Sequence, residues 1–211
     1  MSPRPEWLNL PNKITIARLV IAVLLFVLFS LQIHWEVGDR SVVLNLAAIV
    51  FSICVATDWL DGYLARRWGM VTTFGRIADP FVDKVVVCGS FVYLVKLVPN
   101  IVWPSVAVVI IAREFLVTGL RSYLESQGVP FGARWGGKIK MVVQSFAIPA
   151  LLVYEANYAH LDSRPWMGEL FHWGSIGLVI ATLISTIISA WDYIAIAVTG
   201  IRESPREASV E

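Results

Sequence analysis

Between Asp58 and Asp83 the chain carries four carboxylates, Asp58, Asp61, Asp79 and Asp83, interleaved with Gly62, Ala65, Arg66 and Gly75. Asp58 and Asp61 are three residues apart, which puts both on one helix face, and Gly62 and Ala65 continue that face. Asp79 and Asp83 are four apart and share a face of the next helix. A short polar connection between the two helices predicts antiparallel neighbours, so that all four carboxylates converge. Clustered anionic oxygens without sulfur or imidazole suit a hard cation such as Mg²⁺ or Mn²⁺. Two such ions sharing carboxylates sit about 3.5 to 4 Å apart, the arrangement used for phosphoryl displacement. Gly62 and Ala65 leave room for a bulky ligand against the helix, and Arg66 offers a forked donor for phosphate.

The elements that position these residues are strongly apolar. The 211 residues are 57% hydrophobic and only 16% charged, against about a quarter charged in soluble domains. Long runs almost free of charge predict an all-α integral membrane protein. Its six expected spans run roughly over 14–33, 42–64, 79–98, 101–124, 138–154 and 170–198. The first is read as a retained span, because no small-residue cleavage pattern follows it. Residues 1–10 read as a short interfacial segment. Residues 1–201 form one membrane domain, and 202–211 a flexible cytoplasmic tail. Span three is expected to begin at Asp79 and Pro80, with Asp79 as its cap.

In this membrane setting the carboxylates are costly. An aspartate at mid-membrane costs about 2.5 to 3.5 kcal/mol on insertion scales, so four unpaired ones would cost on the order of 10 kcal/mol. A structural ion network with Arg66, Arg67, Arg76 and Lys84 would account for one or two of them. It would not account for their spacing or for the small residues beside them.

Lysine and arginine set the orientation. Arg4, Lys13, Arg66, Arg67, Arg76, Arg121, Arg134, Lys138, Arg202 and Arg206 fall on one side, and Arg40, Lys96 and Arg164 on the other. Both termini are therefore expected in the cytoplasm. The net charge of +1 gives no argument for nucleic acid. Cys54 and Cys88 lie inside apolar runs without metal-ligand spacing, and His34, His160 and His172 read as solvated or interfacial.

The stretch from Asp58 to Asp83 resembles the signature of the CDP-alcohol phosphotransferases, D-x2-D-G-x2-A-R-x8-G-x3-D-x3-D, at all eight fixed positions. The resemblance implies a six-helix membrane fold, a homodimer, and a site open to the cytoplasmic interface, in a bacterial inner membrane. It implies two divalent cations held by Asp58, Asp61, Asp79 and Asp83 on the diphosphate of a CDP-linked lipid. It also implies Asp83 as general base on the acceptor hydroxyl.

Two further stretches bear on the acceptor. Arg113 and Glu114, with Gly119 and Arg121, lie within span four; Gly136, Gly137, Lys138 and Lys140 open span five. Intramembrane charge points to function, and Arg113, Lys138 and Lys140 together would suit an acceptor carrying its own phosphate. Arg121, Lys138 and Lys140 also read as positive-inside anchors. These stretches, with the opening from Leu10 to Arg18, resemble the phosphatidylglycerophosphate synthases, apart from Met141 where threonine is usual. That resemblance implies CDP-diacylglycerol as donor and glycerol 3-phosphate as acceptor. It puts Asn12, Thr15, Gly62, Ala65, Arg66 and Gly75 at the CDP-lipid, and Arg113, Arg121, Lys138 and Lys140 at the acceptor phosphate. The alternatives are the same chemistry with phosphatidylglycerol, serine or an inositol phosphate, a divalent-cation channel or transporter, and a catalytically silent lipid-binding protein.

Overall fold

The computed structural model describes residues 10–68, 73–127, 135–160 and 165–207, the side chains of 10–13, 59–68, 73–79 and 199–207 excepted. Among the described residues every regular element is helical: α1 (Leu10–His34), α2 (Arg40–Trp68), α3 (Thr73–Leu97), α4 (Pro104–Ser126), α5 (Trp135–Asn157) and α6 (Pro165–Glu207). A backbone surrounded by hydrocarbon has to satisfy its own N–H and C=O groups, and a helix does so within one segment. Among the described residues four stretches are long and apolar enough to cross a membrane: Ile14–His34, Arg40–Asp58, Trp135–Asn157 and Pro165–Val198. The described parts of α3 and α4 are long enough but carry more charge, Asp83, Lys84 and Lys96 in one and Arg113, Glu114, Arg121 and Glu125 in the other.

The helices depart from the sequence reading at three points. Helix α3 begins at Thr73 and holds Pro80 in its interior, so Asp79 is a helical residue and not the cap. Proline removes one helical hydrogen bond, yet ending the helix would leave several backbone groups unpaired, and membrane helices tolerate the smaller loss. Helix α6 runs on to Glu207, into the stretch 202–211 read as a tail. Finally, α2 and α3 make almost no direct contact among the described residues; instead α1 and α5 each pack against both.

Fully buried Leu25, Phe29, Leu44, Phe51, Phe91, Leu94, Ile110 and Leu151 fill the interior. Helices α1 and α3 approach closely at Gly89, where an added Cβ would overlap the Phe26 ring. That ring stacks on Tyr93, whose hydroxyl lies 2.8 Å from Ser30 Oγ. At one end of the bundle Arg40 Nη2 donates to the Leu97 carbonyl at 3.0 Å and to Glu155 Oε1 at 2.8 Å. Asn45 and Asn157 exchange amide hydrogen bonds beside it. These contacts gather the start of α2 and the ends of α3 and α5. The opposite end therefore holds the end of α2 and the starts of α3 and α5, which carry the aspartates and the lysines.

Candidate active site

A cavity at that end is lined by Val55 and Asp58 of α2, Asp83, Lys84 and Val87 of α3, Glu114 of α4, and Lys140, Met141, Gln144 and Ser145 of α5. Two aspartates from different helices thus face one space, together with Lys140, which the sequence placed at the acceptor phosphate. Asp61, Gly62, Ala65 and Arg66 lie in the last turns of α2, and Gly75 and Asp79 in the first turns of α3. Helical repeat sets Asp61 about one turn beyond Asp58 and Asp79 about one turn before Asp83. The side chains of these six residues, and that of Asn12, lie outside the described residues.

A belt of polar contacts ties the helices together at this level. Arg18 of α1 pairs with Asp58. Arg18 is 1% exposed and the Asp58 side chain 29%, so the carboxylate keeps a face toward the cavity. Lys84 donates to Thr118 Oγ1 at 2.6 Å, and Thr118 donates in turn to the Glu114 carbonyl at 2.6 Å. The Glu114 carboxylate accepts from Arg113 Nη1 at 3.0 Å and from Lys140 Nζ. Arg113 also donates to Ser189 of α6 and lies over the Tyr193 ring, 5.7 Å from its centroid. The α5–α6 seam is close here, since an added Cβ at Gly136 would come within 2.9 Å of Asp192 Oδ2.

These contacts sort the predicted residues. Asp58, Asp83 and Lys140 meet at the cavity, and Arg113 stands directly behind Glu114. Thr15 is buried in the first turns of α1. Arg121 is exposed. Lys138 is exposed too, with its ammonium 5.0 Å from the Trp135 ring centroid. Their positions suit anchoring at the membrane surface. The basic partners foreseen for the aspartates did not include Arg18, which holds Asp58, and the hydrogen bond of Lys84 goes to Thr118.

Sequence reasoning gave no role to Arg18 or Gln144 and named Glu114 only as the charged neighbour of Arg113. Each had a signal of its own. Arg18 is a charge inside an otherwise apolar run, Glu114 adjoins a buried arginine, and Gln144 repeats the face of Lys140 at i+4.

Hard divalent cations take carboxylate oxygens of the kind that Asp58 and Asp83 bring to the cavity, but no group of three or more metal-ligating side chains is found among the described residues. Among the described residues, Asp58 and Asp83 are the members of the aspartate signature whose side chains can be placed.

Fold and cavity point to a membrane enzyme of phosphate-ester chemistry, and comparison with known proteins agrees. The chain belongs to the CDP-alcohol phosphatidyltransferase family, whose model matches residues 8–196. It is 39% identical over 190 residues to the CDP-diacylglycerol–glycerol-3-phosphate 3-phosphatidyltransferase of Bacillus subtilis, covering 88% of this chain and 93% of that one. It is 34% identical over 177 residues to the enzyme of that name in Rickettsia typhi, covering 82% and 92%. With the enzyme of that name from Pseudomonas fluorescens it shares 33% identity over 193 residues, covering 89% and 92%.

Proposed function

We propose that the protein transfers the phosphatidyl group of CDP-diacylglycerol to glycerol 3-phosphate, giving phosphatidylglycerol phosphate and CMP. The observation that carries this reading is the meeting of Asp58, Asp83 and Lys140 at one cavity from three helices. Carboxylates on one wall suit the cations of a bound diphosphate, and a lysine on another suits an acceptor with its own phosphate. The names and extents of the relatives support the same donor and acceptor.

Asp58, Asp61, Asp79 and Asp83 would hold two divalent cations, Mg²⁺ or Mn²⁺, whose charge offsets that of the diphosphate and of the departing CMP. Asp83 takes the proton of the acceptor hydroxyl as its oxygen attacks the lipid-side phosphorus. The bond from that phosphorus to CMP breaks, and the phosphatidyl group ends on the acceptor. Lys140 and Arg113 hold the acceptor phosphate so that its hydroxyl faces Asp83. Arg113 Nε is buried and without an acceptor among the described residues, which leaves it one donor for an incoming anion. Asn12, Thr15, Gly62, Ala65, Arg66 and Gly75 surround the CDP end, with Arg121 and Lys138 at the rim on the acceptor side.

An open apolar groove is lined by Ala48, Ser52, Ile53 and Ala56 of α2 and Pro149 and Val153 of α5. It suits an acyl chain of the donor. The setting is an integral membrane protein with six crossings, α3 and α4 included, both ends and the site facing the cytoplasm of a bacterial cell, acting as a homodimer.

The decisive assay is CMP release from CDP-diacylglycerol in lipid nanodiscs, with and without chelator, across glycerol 3-phosphate, phosphatidylglycerol, serine and inositol phosphate. Metal-dependent release with glycerol 3-phosphate alone supports the reading. Release only with a neutral alcohol overturns the acceptor, and metal flux without CMP release overturns the enzyme.

A further inference from the structure

Resting on the acceptor reading above, we propose that Gln144 determines acceptor specificity by hydrogen-bonding the second, non-reacting hydroxyl of glycerol 3-phosphate. Gln144 is 1% exposed and lies one helical turn from Lys140 on the same face of α5. It lines the cavity with Asp58 and Asp83. Its amide Nε2 is buried and has no acceptor among the described residues. Buried amides are almost always satisfied, and one left unmet is destabilising unless a ligand completes it.

The chemistry of the acceptor supplies the missing partner. Glycerol 3-phosphate presents a phosphate at one end, the reacting hydroxyl at the other, and a secondary hydroxyl between. With the phosphate against Lys140 and the reacting hydroxyl at Asp83, the secondary oxygen falls between two charged groups. A neutral amide there can bind it without competing for the cations or for the proton that Asp83 takes. No other uncharged side chain lining the cavity has a free proton to donate. Val55, Val87 and Met141 are apolar, and the Ser145 hydroxyl already donates to the Met141 carbonyl at 2.7 Å.

A site built to hydrogen-bond a substrate hydroxyl discriminates strongly against an analogue lacking it. The test compares kcat/KM for glycerol 3-phosphate and for 3-hydroxypropyl phosphate, which lacks the middle hydroxyl. Wild-type protein should prefer glycerol 3-phosphate by roughly a hundredfold, and Gln144→Leu should reduce that preference to about twofold. The loss should fall on glycerol 3-phosphate alone, with KM for CDP-diacylglycerol unchanged. Gln144→Met, nearer in shape, covers any disturbance of packing, and a ratio measured on one preparation is insensitive to the fraction of folded protein. A wild-type ratio near one, or equal losses with both acceptors, overturns the role of Gln144 and leaves the phosphorylated-acceptor reading standing. Wild-type protein that uses neither phosphate ester but turns over another alcohol overturns both.

Discussion

Arg18 of α1 and Asp58 of α2 form an ion pair inside the helix bundle, and the arginine is almost wholly enclosed. The pair ties the first helix to the site. Removing one partner of a buried pair leaves the other charge uncompensated, at a cost of about 3 to 5 kcal/mol. Arg18→Gln is therefore expected to lower the thermal midpoint of the protein in nanodiscs markedly. Asp58→Asn leaves Arg18 an acceptor oxygen and should lower it less, while CMP release is lost. Circular-dichroism melts beside the CMP assay check the contrast; equal melting of the two variants would count against the pairing.

Asp83 is the residue on which base and cation roles meet. Asp83→Asn should reduce turnover by roughly 10²- to 10⁴-fold, the usual worth of a positioned base. CDP-diacylglycerol binding, read by its protection against thermal unfolding, should survive because three aspartates remain. Turnover close to wild type would remove Asp83 from the base role.

Arg113 is held by Glu114, Ser189 and the Tyr193 ring. Arg113→Lys keeps the charge but not the fork, so it should bridge fewer of these groups and leave a ligand phosphate with one contact fewer. A rise in KM for glycerol 3-phosphate of about tenfold is expected, roughly the worth of one charge-assisted hydrogen bond. KM for CDP-diacylglycerol should stay within about twofold. Equal rises for both substrates would assign Arg113 to the scaffold alone.

Gly89 tests packing away from the chemistry. A methyl group there would overlap the Phe26 ring, which is stacked on Tyr93. Overpacking of this kind costs about 1 to 3 kcal/mol. Gly89→Ala should lower the thermal midpoint with little change in either KM, and Phe26→Leu in the same chain should restore part of it. Failure of the second change to help would mean that the backbone, and not the ring, absorbs the strain.

Much of this was legible in the sequence, and the rest was hidden for physical reasons. Apolar runs located the helices because burial in lipid demands them, and the turn at Pro99 and Asn100 separates α3 from α4 as expected. The start of α3 was misplaced because proline is a strong stop signal in water and a weaker one in hydrocarbon. Helical spacing put Asp58 and Asp83 on useful faces, but no local rule reaches from Asp58 back to Arg18 on another helix. The same limit hid the sharing of Glu114 between Arg113 and Lys140. Spacing relates residues along one helix, whereas this belt is written across six. Gln144 was passed over because a neutral amide in an apolar run carries no charge to draw notice.

The clasp of Arg40 on the Leu97 carbonyl and Glu155 has a mechanical corollary. It fastens α2, α3 and α5 like the rivet of a pair of tongs, at the far end from the aspartates. Any spreading of these three helices to let a lipid headgroup in or out is therefore widest at the aspartates and smallest at Arg40. The protein can breathe where it works and stay shut where it is moored.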